Sequence, residues 1–148
     1  MARTIWNPSD RAEILSRFGR LRPSAQAQWG KMNASKMVKH CTLPMLSAMG
    51  EYDVAEKPTP FKNWPARKLI IYVMPWPKGG PTAPEFMIAD DGDFSERMRE
   101  LESVLARFAT RGPAQEFRPH AAFGELSGAD WGALTYRHLA HHLRQFGC

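Results

Sequence analysis

The C-terminal stretch WGALTYRHLAHHLRQF, residues 131–146, decides the fold and contains three of the five histidines of the chain. If this stretch is helical, His138 and His142 lie one turn apart and project from the same face. The same face carries four further residues: Trp131, Leu134, Thr135 and Gln145. A face of this composition usually lines a core, so we expect both imidazoles to point into a helical bundle.

A third metal ligand has to come from elsewhere in the chain, because a divalent metal that does chemistry usually takes three protein ligands and keeps one position open. The two histidines outside the C-terminal stretch are His40 and His120. His40 shares the predicted buried face of an earlier helix with four apolar residues: Met37, Cys41, Met45 and Ala48. We therefore expect His40 to join His138 and His142 in one site.

The order of these residues, with one histidine in the second helix and an H-x-x-x-H pair in the last, resembles the DinB/YfiT-like superfamily. Four stretches carry a narrower resemblance to a DinB-like branch classed as a domain of unknown function: Trp29–Met32, Met37–His40, Phe123–Gly124 and His138–Phe146. The resemblance implies an all-α, DinB-like four-helix bundle that spans residues 1–148 as a single domain. It also implies that His40, His138 and His142 bind a divalent metal, but it implies no particular reaction.

Helix signals divide the chain into five predicted helices, at about residues 8–18, 34–49, 64–74, 94–111 and 127–146. The third is a short extra helix inside a long proline-rich connection, because residues 50–93 contain seven of the twelve prolines. Its apolar run fits a buried strand or a buried helix equally well. We favour a helix because Asn63 is placed to cap it and because a lone strand would have no partner.

Composition predicts an ordinary globular domain, with 43% hydrophobic and 24% charged residues. Two cysteines, Cys41 and Cys148, do not form a disulfide framework, so we expect a cytoplasmic, reducing setting. The N-terminus has no apolar leader region, and no apolar run approaches the ~20 residues that span a bilayer. Secretion and membrane insertion are therefore not expected.

The net charge of +5 could favour nucleic acid or an acidic ligand. However, basic residues are interspersed with acidic ones, and no recognised nucleic-acid-binding motif accompanies them. We therefore expect a solvated basic surface and no nucleic-acid partner.

Neutral imidazole ligands favour Zn, Ni, Fe or Mn over Ca. An ion at the three histidines would activate water for hydrolysis, or would activate a thiol, as the thiol-transferase members of the superfamily suggest by resemblance. Candidate catalytic side chains are His120, His141 and Gln145. His120 is a proton shuttle or a loop-packing residue, whereas His141 points away from the predicted ligand pair and is expected to support it or to lie at an interface.

A non-enzymatic bundle is the competing interpretation. In this case the histidines hold a structural metal or none, and the protein is a dimeric interaction or small-ligand-binding module. The apolar segment Trp64–Trp76 predicts self-association, because it exceeds what a small bundle needs to cover its core. A homodimer with a small-molecule or thiol substrate is thus the predicted set of partners.

Overall fold

A computed structural model describes residues 2–148, and within these residues the chain is all-helical, without a β-strand. The five α-helices are α1 (Pro8–Arg20), α2 (Ala34–Ala48), α3 (Trp64–Tyr72), α4 (Phe94–Arg111) and α5 (Gly128–Gln145). Two single-turn 3-10 helices, Pro60–Lys62 and Pro84–Phe86, lie in the connection between α2 and α4. The all-α class and the short helix in the proline-rich connection are confirmed.

The predicted caps begin four of the five helices. Their side-chain oxygens accept hydrogen bonds from backbone N–H groups of the first turn, which would otherwise be unsatisfied: Asn7, Asn33, Asp93 and Ser127. The fifth predicted cap, Asn63, does occupy the N-cap position of α3, but its side chain makes no capping hydrogen bond. Helix α1 also continues through Gly19 to Arg20, two residues beyond the predicted end at Phe18.

Helix α3 ends at Tyr72, two residues before the predicted end at Met74. The carbonyl of Ile70 accepts hydrogen bonds from the indole N–H of Trp76 at 3.0 Å and from the guanidinium of Arg137 at 2.8 Å. Arg137 also donates to the carbonyls of Ile71 and Met74. These side chains replace the backbone donors of a further helical turn, so the helix ends there.

The core lies where α5 meets α1, α2 and α3, and where α2 packs along α4. Phe18, Phe108 and Leu139 are fully or almost fully buried there. Each such side chain contributes about 1.5–3 kcal/mol by leaving water. The predicted buried faces of α2 and α5 are confirmed, so both histidine-bearing faces point inward.

A buried carboxylate fastens α3 to the start of α5. Asp130 is 2% exposed and accepts hydrogen bonds from the Lys68 ammonium at 2.5 Å and the Tyr72 hydroxyl at 2.7 Å. Burial alone would raise the pKa of Asp130, but the hydrogen bonds from Lys68 and Tyr72 outweigh it and lower the pKa. These contacts therefore hold α3, and with it the proline-rich connection, against the first turn of α5.

Several apolar side chains of this connection remain exposed: Phe61, Trp64, Leu69, Val73, Met74 and Met87. Val73 and Met87 are each 69% exposed and Trp64 is 65% exposed. The predicted self-association stays a prediction. Among residues 2–148, no helix has both the length and the apolarity needed to cross a membrane.

Candidate metal centre

Three imidazoles converge where α2 crosses α5. The Nε2 atom of His40 lies 3.0 Å from Nε2 of His142 and 3.1 Å from Nε2 of His138. One ring nitrogen from each residue lies within 4.8 Å of the others. The structure therefore brings together the three residues that the sequence singled out as metal ligands.

The ring of His40 is oriented by a backbone carbonyl. Its Nδ1 lies 2.9 Å from the carbonyl oxygen of Phe86, which can only accept a hydrogen bond. Phe86 belongs to the 3-10 helix Pro84–Phe86, and Tyr52 fixes this turn by donating to the Glu85 carbonyl at 2.5 Å. Nδ1 of His40 therefore carries the proton, and in the neutral ring Nε2 is left as a lone pair facing the other histidines.

The ring of His142 is oriented by Gln145, one of the candidate catalytic residues. Nδ1 of His142 lies 2.7 Å from Oε1 of Gln145, and Nε2 of Gln145 donates to the carbonyl of Trp29 at 2.8 Å. Because the Trp29 carbonyl can only accept a hydrogen bond, the amide nitrogen of Gln145 must face it, and the amide oxygen must face His142. His142 consequently holds its proton on Nδ1 and presents the lone pair of Nε2. Gln145 thus orients a predicted metal ligand, and it is itself buried, at 4% exposed.

Gly30 makes room for this amide. Its φ of +79° lies in the left-handed region, and a Cβ built there would stand 2.8 Å from Nε2 of Gln145. Glycine therefore serves two purposes in the Trp29–Gly30 step, since it permits the turn and the close approach of the glutamine.

The electrostatic environment keeps the three rings neutral. Burial lowers the pKa of His40 and of His138, and lowers the pKa of His142 to about 3. The mutual proximity of the rings lowers the values for His138 and His142 further, since two adjacent imidazolium ions would repel each other. Neutral imidazole is the form that binds metal.

His141 is a neighbour of the centre and is not one of the three converging residues. Its ring lies 5.1 Å from that of His142 between centroids, and it contacts the indoles of Trp29 at 5.6 Å and Trp76 at 5.8 Å. Burial, helped by Arg144 and Arg137, lowers its pKa. It therefore stands in an aromatic, partly exposed setting beside the centre.

His120 has a different environment from that predicted for a proton shuttle. Its Nδ1 accepts hydrogen bonds from the backbone N–H groups of Ala122 at 3.0 Å and Phe123 at 3.2 Å. Its backbone pairs with Gly124 in both directions, which closes a tight turn before α5. The ring packs against Trp131 at 5.3 Å, and burial lowers its pKa to about 4. These contacts match the loop-packing alternative.

Sequence patterns did not indicate several neighbours of the centre. Trp76 lies 6.5 Å from His138 and 5.8 Å from His141 between ring centroids, and Lys78 stands over the ring of Trp29 at 4.9 Å. The orienting groups on Phe86 and Trp29 are backbone carbonyls, which no residue pattern reveals. Only Gln145 was accessible to sequence reasoning, because it lies three residues after His142 and hence beside it on a helix.

Cys41, next to His40 in sequence, is fully buried and donates a weak hydrogen bond to the sulfur of Met37 at 3.5 Å. Burial raises the pKa of its thiol, so it stays protonated. It is an inert packing residue on α2.

The profile of one protein family, described as Protein of unknown function (DUF1569), matches residues 8–147. The chain belongs to this family. No curated protein and no solved structure matches the chain. All three converging histidines and Gln145 lie within the matched DUF1569 region.

Proposed function

We propose that His40, His138 and His142 bind one divalent metal ion, and that the protein uses this ion to activate a small substrate. The 3.0 Å separation of two Nε2 atoms carries the proposal. Carbonyl and amide oxygens hold the protons of His40 and His142 on Nδ1, so two lone pairs face each other. Two lone pairs at this distance repel, and a cation that both can bind removes the repulsion.

The donor set supports the same proposal. Two nitrogens bound to one zinc ion at about 2.0–2.1 Å can lie at most about 4.2 Å apart, and the 3.0 Å and 3.1 Å separations fall within this limit. Three imidazoles without a carboxylate suit Zn, Ni, Fe or Mn. Metal-ligating histidines usually donate their other N–H to a carbonyl or carboxylate, as His40 and His142 do here.

We also propose that the fold is a DinB-like four-helix bundle forming a single domain, in which α1, α2, α4 and α5 are the bundle and α3 is the insertion. The packing of α2 along α4, and of α5 against α1 and α2, supports this arrangement. The order of ligands along the chain, one on the second helix and two on the last, supports it further. Membership of DUF1569 neither requires nor opposes the wider relationship.

A bound ion would supply Lewis acidity, which makes water or a thiol a nucleophile near neutral pH. The three histidines are grouped without an aspartate or glutamate among residues 2–148, so a carboxylate general base is not part of the cluster. A thiol with an ordinary pKa near 8.5 needs less help to ionise than water does. Of the two proposed activities, thiol transfer is therefore favoured over metal-dependent hydrolysis.

The second candidate function is a non-enzymatic module with a structural ion. Exposed apolar residues on and after α3 support it, because a surface of this kind favours association into a homodimer. Two free cysteines are consistent with the proposed cytoplasmic, reducing setting for either function.

Metal loading tests the proposal. Purified protein is treated with chelator, incubated with zinc, freed of excess metal and subjected to elemental analysis. One zinc per chain is expected, together with a rise in melting temperature, because a ligand that binds only the folded state stabilises it. Metal content no higher than that of a histidine-poor control protein would refute the site. Turnover of thiol-transfer and ester substrates that stops with chelator would separate the enzyme from the structural module.

A further inference from the structure

Two tryptophans from different connections flank the three-histidine centre. Trp29 lies between α1 and α2, Trp76 lies after α3, and both indoles contact the ring of His141. Trp76 additionally approaches His138, which is partly exposed, at 6.5 Å. Both indoles are themselves only partly buried. The side of the centre that faces solvent is therefore bounded by aromatic surfaces.

Polar contacts fix the ring of Trp76 and the backbone that carries Trp29. The indole N–H of Trp76 donates to the Ile70 carbonyl at 3.0 Å. The backbone of the other connection is tied to the end of α5 twice, because Gln145 donates to the Trp29 carbonyl and the Gln28 N–H donates to the Gln145 carbonyl at 2.7 Å. The two aromatic surfaces are thus pre-arranged beside the histidines.

The charges around these rings are positive. Lys78 lies over Trp29 at 4.9 Å, and the Arg137 guanidinium lies over Trp76 at 5.1 Å. Within residues 2–148, neither cation pairs with a carboxylate, and Arg137 donates instead to backbone carbonyls. Glu85, beside the carbonyl that orients His40, is already paired with Lys57 at 2.7 Å. Neutral imidazole ligands would also leave the full positive charge of an ion in place.

We infer that Trp29, Trp76 and Lys78 form the substrate-binding rim of the histidine centre, and that the rim takes a small anion with a flat apolar body. The anionic head, a carboxylate or thiolate, is attracted by Lys78 and the metal. The body packs against the indoles, which favour flat rings through offset or edge contacts. The inference rests on the proposed metal centre and adds the class of molecule that reaches it.

Calorimetric titration of the zinc-loaded protein with matched probes tests the inference. Phenylacetate carries both features, phenylacetamide lacks the charge, and acetate lacks the ring. We expect phenylacetate to bind a few-fold more tightly than either comparison compound, since each comparison compound lacks one contact and one aromatic or charge contact contributes about that much. Phenylmethanethiol, which is mostly neutral near pH 7 and becomes a thiolate only when it ionises at the metal, serves as the thiol probe. Preference for phenylacetate over both phenylacetamide and acetate supports the rim.

Lys78→Gln is the decisive variant, because Lys78 is exposed and its removal does not threaten the fold. It should weaken phenylacetate binding about 2- to 5-fold and leave phenylacetamide unchanged. Lys62→Gln is the control, because it removes a lysine charge that lies beside Gly124, ahead of α5. It should leave the binding of every probe unchanged. Equal effects of the two variants, or no preference for an anion, would overturn the inference.

Zinc content measured on the same samples separates this inference from the proposed function. A protein that binds zinc but does not discriminate among the probes overturns the rim and leaves the metal centre standing. A protein that binds no zinc overturns both. Trp76→Leu provides a second readout, since it should weaken phenylacetate more than acetate without lowering zinc content.

Discussion

His40 and His142 are separated by 102 positions in the chain, yet their Nε2 atoms lie 3.0 Å apart. Each ring is held by an oxygen acceptor at its other nitrogen, the Phe86 carbonyl for His40 and Gln145 for His142. The fold therefore directs two lone pairs at a common point rather than pairing a donor with an acceptor. A network that served only to fill the core would place a proton between these nitrogens, because an unpaired buried polar atom is costly.

Replacement of one ligand should remove most of the bound metal. In His142→Ala the remaining pair is His40 and His138, and two imidazoles rarely hold a divalent ion against dilution. We expect less than about a tenth of the wild-type zinc content after gel filtration, measured by elemental analysis. His120→Ala is the matched control, because it deletes a partly buried imidazole outside the cluster whose hydrogen bonds go to a backbone turn. Equal zinc in wild type and His142→Ala would refute the ligand assignment.

Gln145 should affect metal affinity without touching the ion. Gln145→Leu removes the acceptor for Nδ1 of His142 and the donor for the Trp29 carbonyl. Loss of such an orienting partner commonly weakens metal affinity by about 10- to 100-fold. Zinc titration in competition with a chromogenic chelator measures the change.

Two further glutamine variants identify the cause. Gln145→Glu keeps an acceptor for His142, so its zinc affinity should lie closer to wild type than that of Gln145→Leu. Gln115→Leu, at an exposed position, should not change affinity. If Gln145→Leu and Gln115→Leu bound zinc equally well, the glutamine would have no part in orienting His142.

Helical periodicity, together with the family resemblance, was sufficient to predict the three converging histidines. Position along a helix fixes the direction of a side chain, so the inward faces of α2 and α5 could be predicted from apolar residues alone. The orienting carbonyls of Phe86 and Trp29 could not, because their positions depend on the path of two irregular connections. The end of α3 was misplaced for a similar reason, since Arg137 and Trp76 stop that helix from a distance.

The roles of candidates outside the cluster were harder to predict. A histidine in a loop has no periodicity to set its direction, so the sequence left both alternatives open for His120. Its hydrogen bonds to Ala122 and Phe123 depend on a turn closed by Gly124, whose φ of +70° requires a left-handed conformation. The predicted dimerisation would involve exposed apolar residues on and after α3, and it stays a prediction.

Acid should destabilise the metal-free protein partly through His120. Its pKa is lowered by burial to about 4 in the folded state, whereas an unfolded histidine titrates near 6.5. Between these values the unfolded chain binds a proton that the folded chain does not, so the free energy of unfolding falls as pH drops from about 6.5 to 4. The loss attributable to this residue is of the order of 1–3 kcal/mol.

Urea unfolding of wild type and His120→Gln at a series of pH values measures this contribution. The variant should be less stable near pH 7, because its turn loses the ring acceptor, and should lose less stability on acidification. The three converging histidines have lowered pKa values as well and add to the acid sensitivity, as does Asp130 through its own lowered pKa. Parallel pH profiles of the two proteins would contradict the assignment to His120.

Self-association should depend on the exposed apolar residues after and along α3. Val73→Glu places a charge on a side chain that is 69% exposed, so the isolated chain should keep its stability. If this surface forms the dimer, the variant should sediment as a monomer at high micromolar concentration, where wild type sediments as a dimer. Arg99→Glu, on an exposed position of α4, is the control for charge. A monomeric wild type would exclude the dimer.

Gly30 should be essential for the metal centre although it lies outside the ligand set. Gly30→Ala forces an L side chain into φ +79° and brings its Cβ to 2.8 Å from the amide nitrogen of Gln145. Gly79→Ala is matched in backbone strain, with φ +73°, but its Cβ would meet nothing within 4 Å. Both variants should lose about 1–2 kcal/mol of stability from the left-handed residue. Only Gly30→Ala should also lower zinc affinity, because the displaced Gln145 no longer orients His142.

Chemical unfolding and zinc titration of the two variants separate backbone strain from the effect on the histidine. Equal zinc affinities of the two variants would show that Gly30 serves the turn alone.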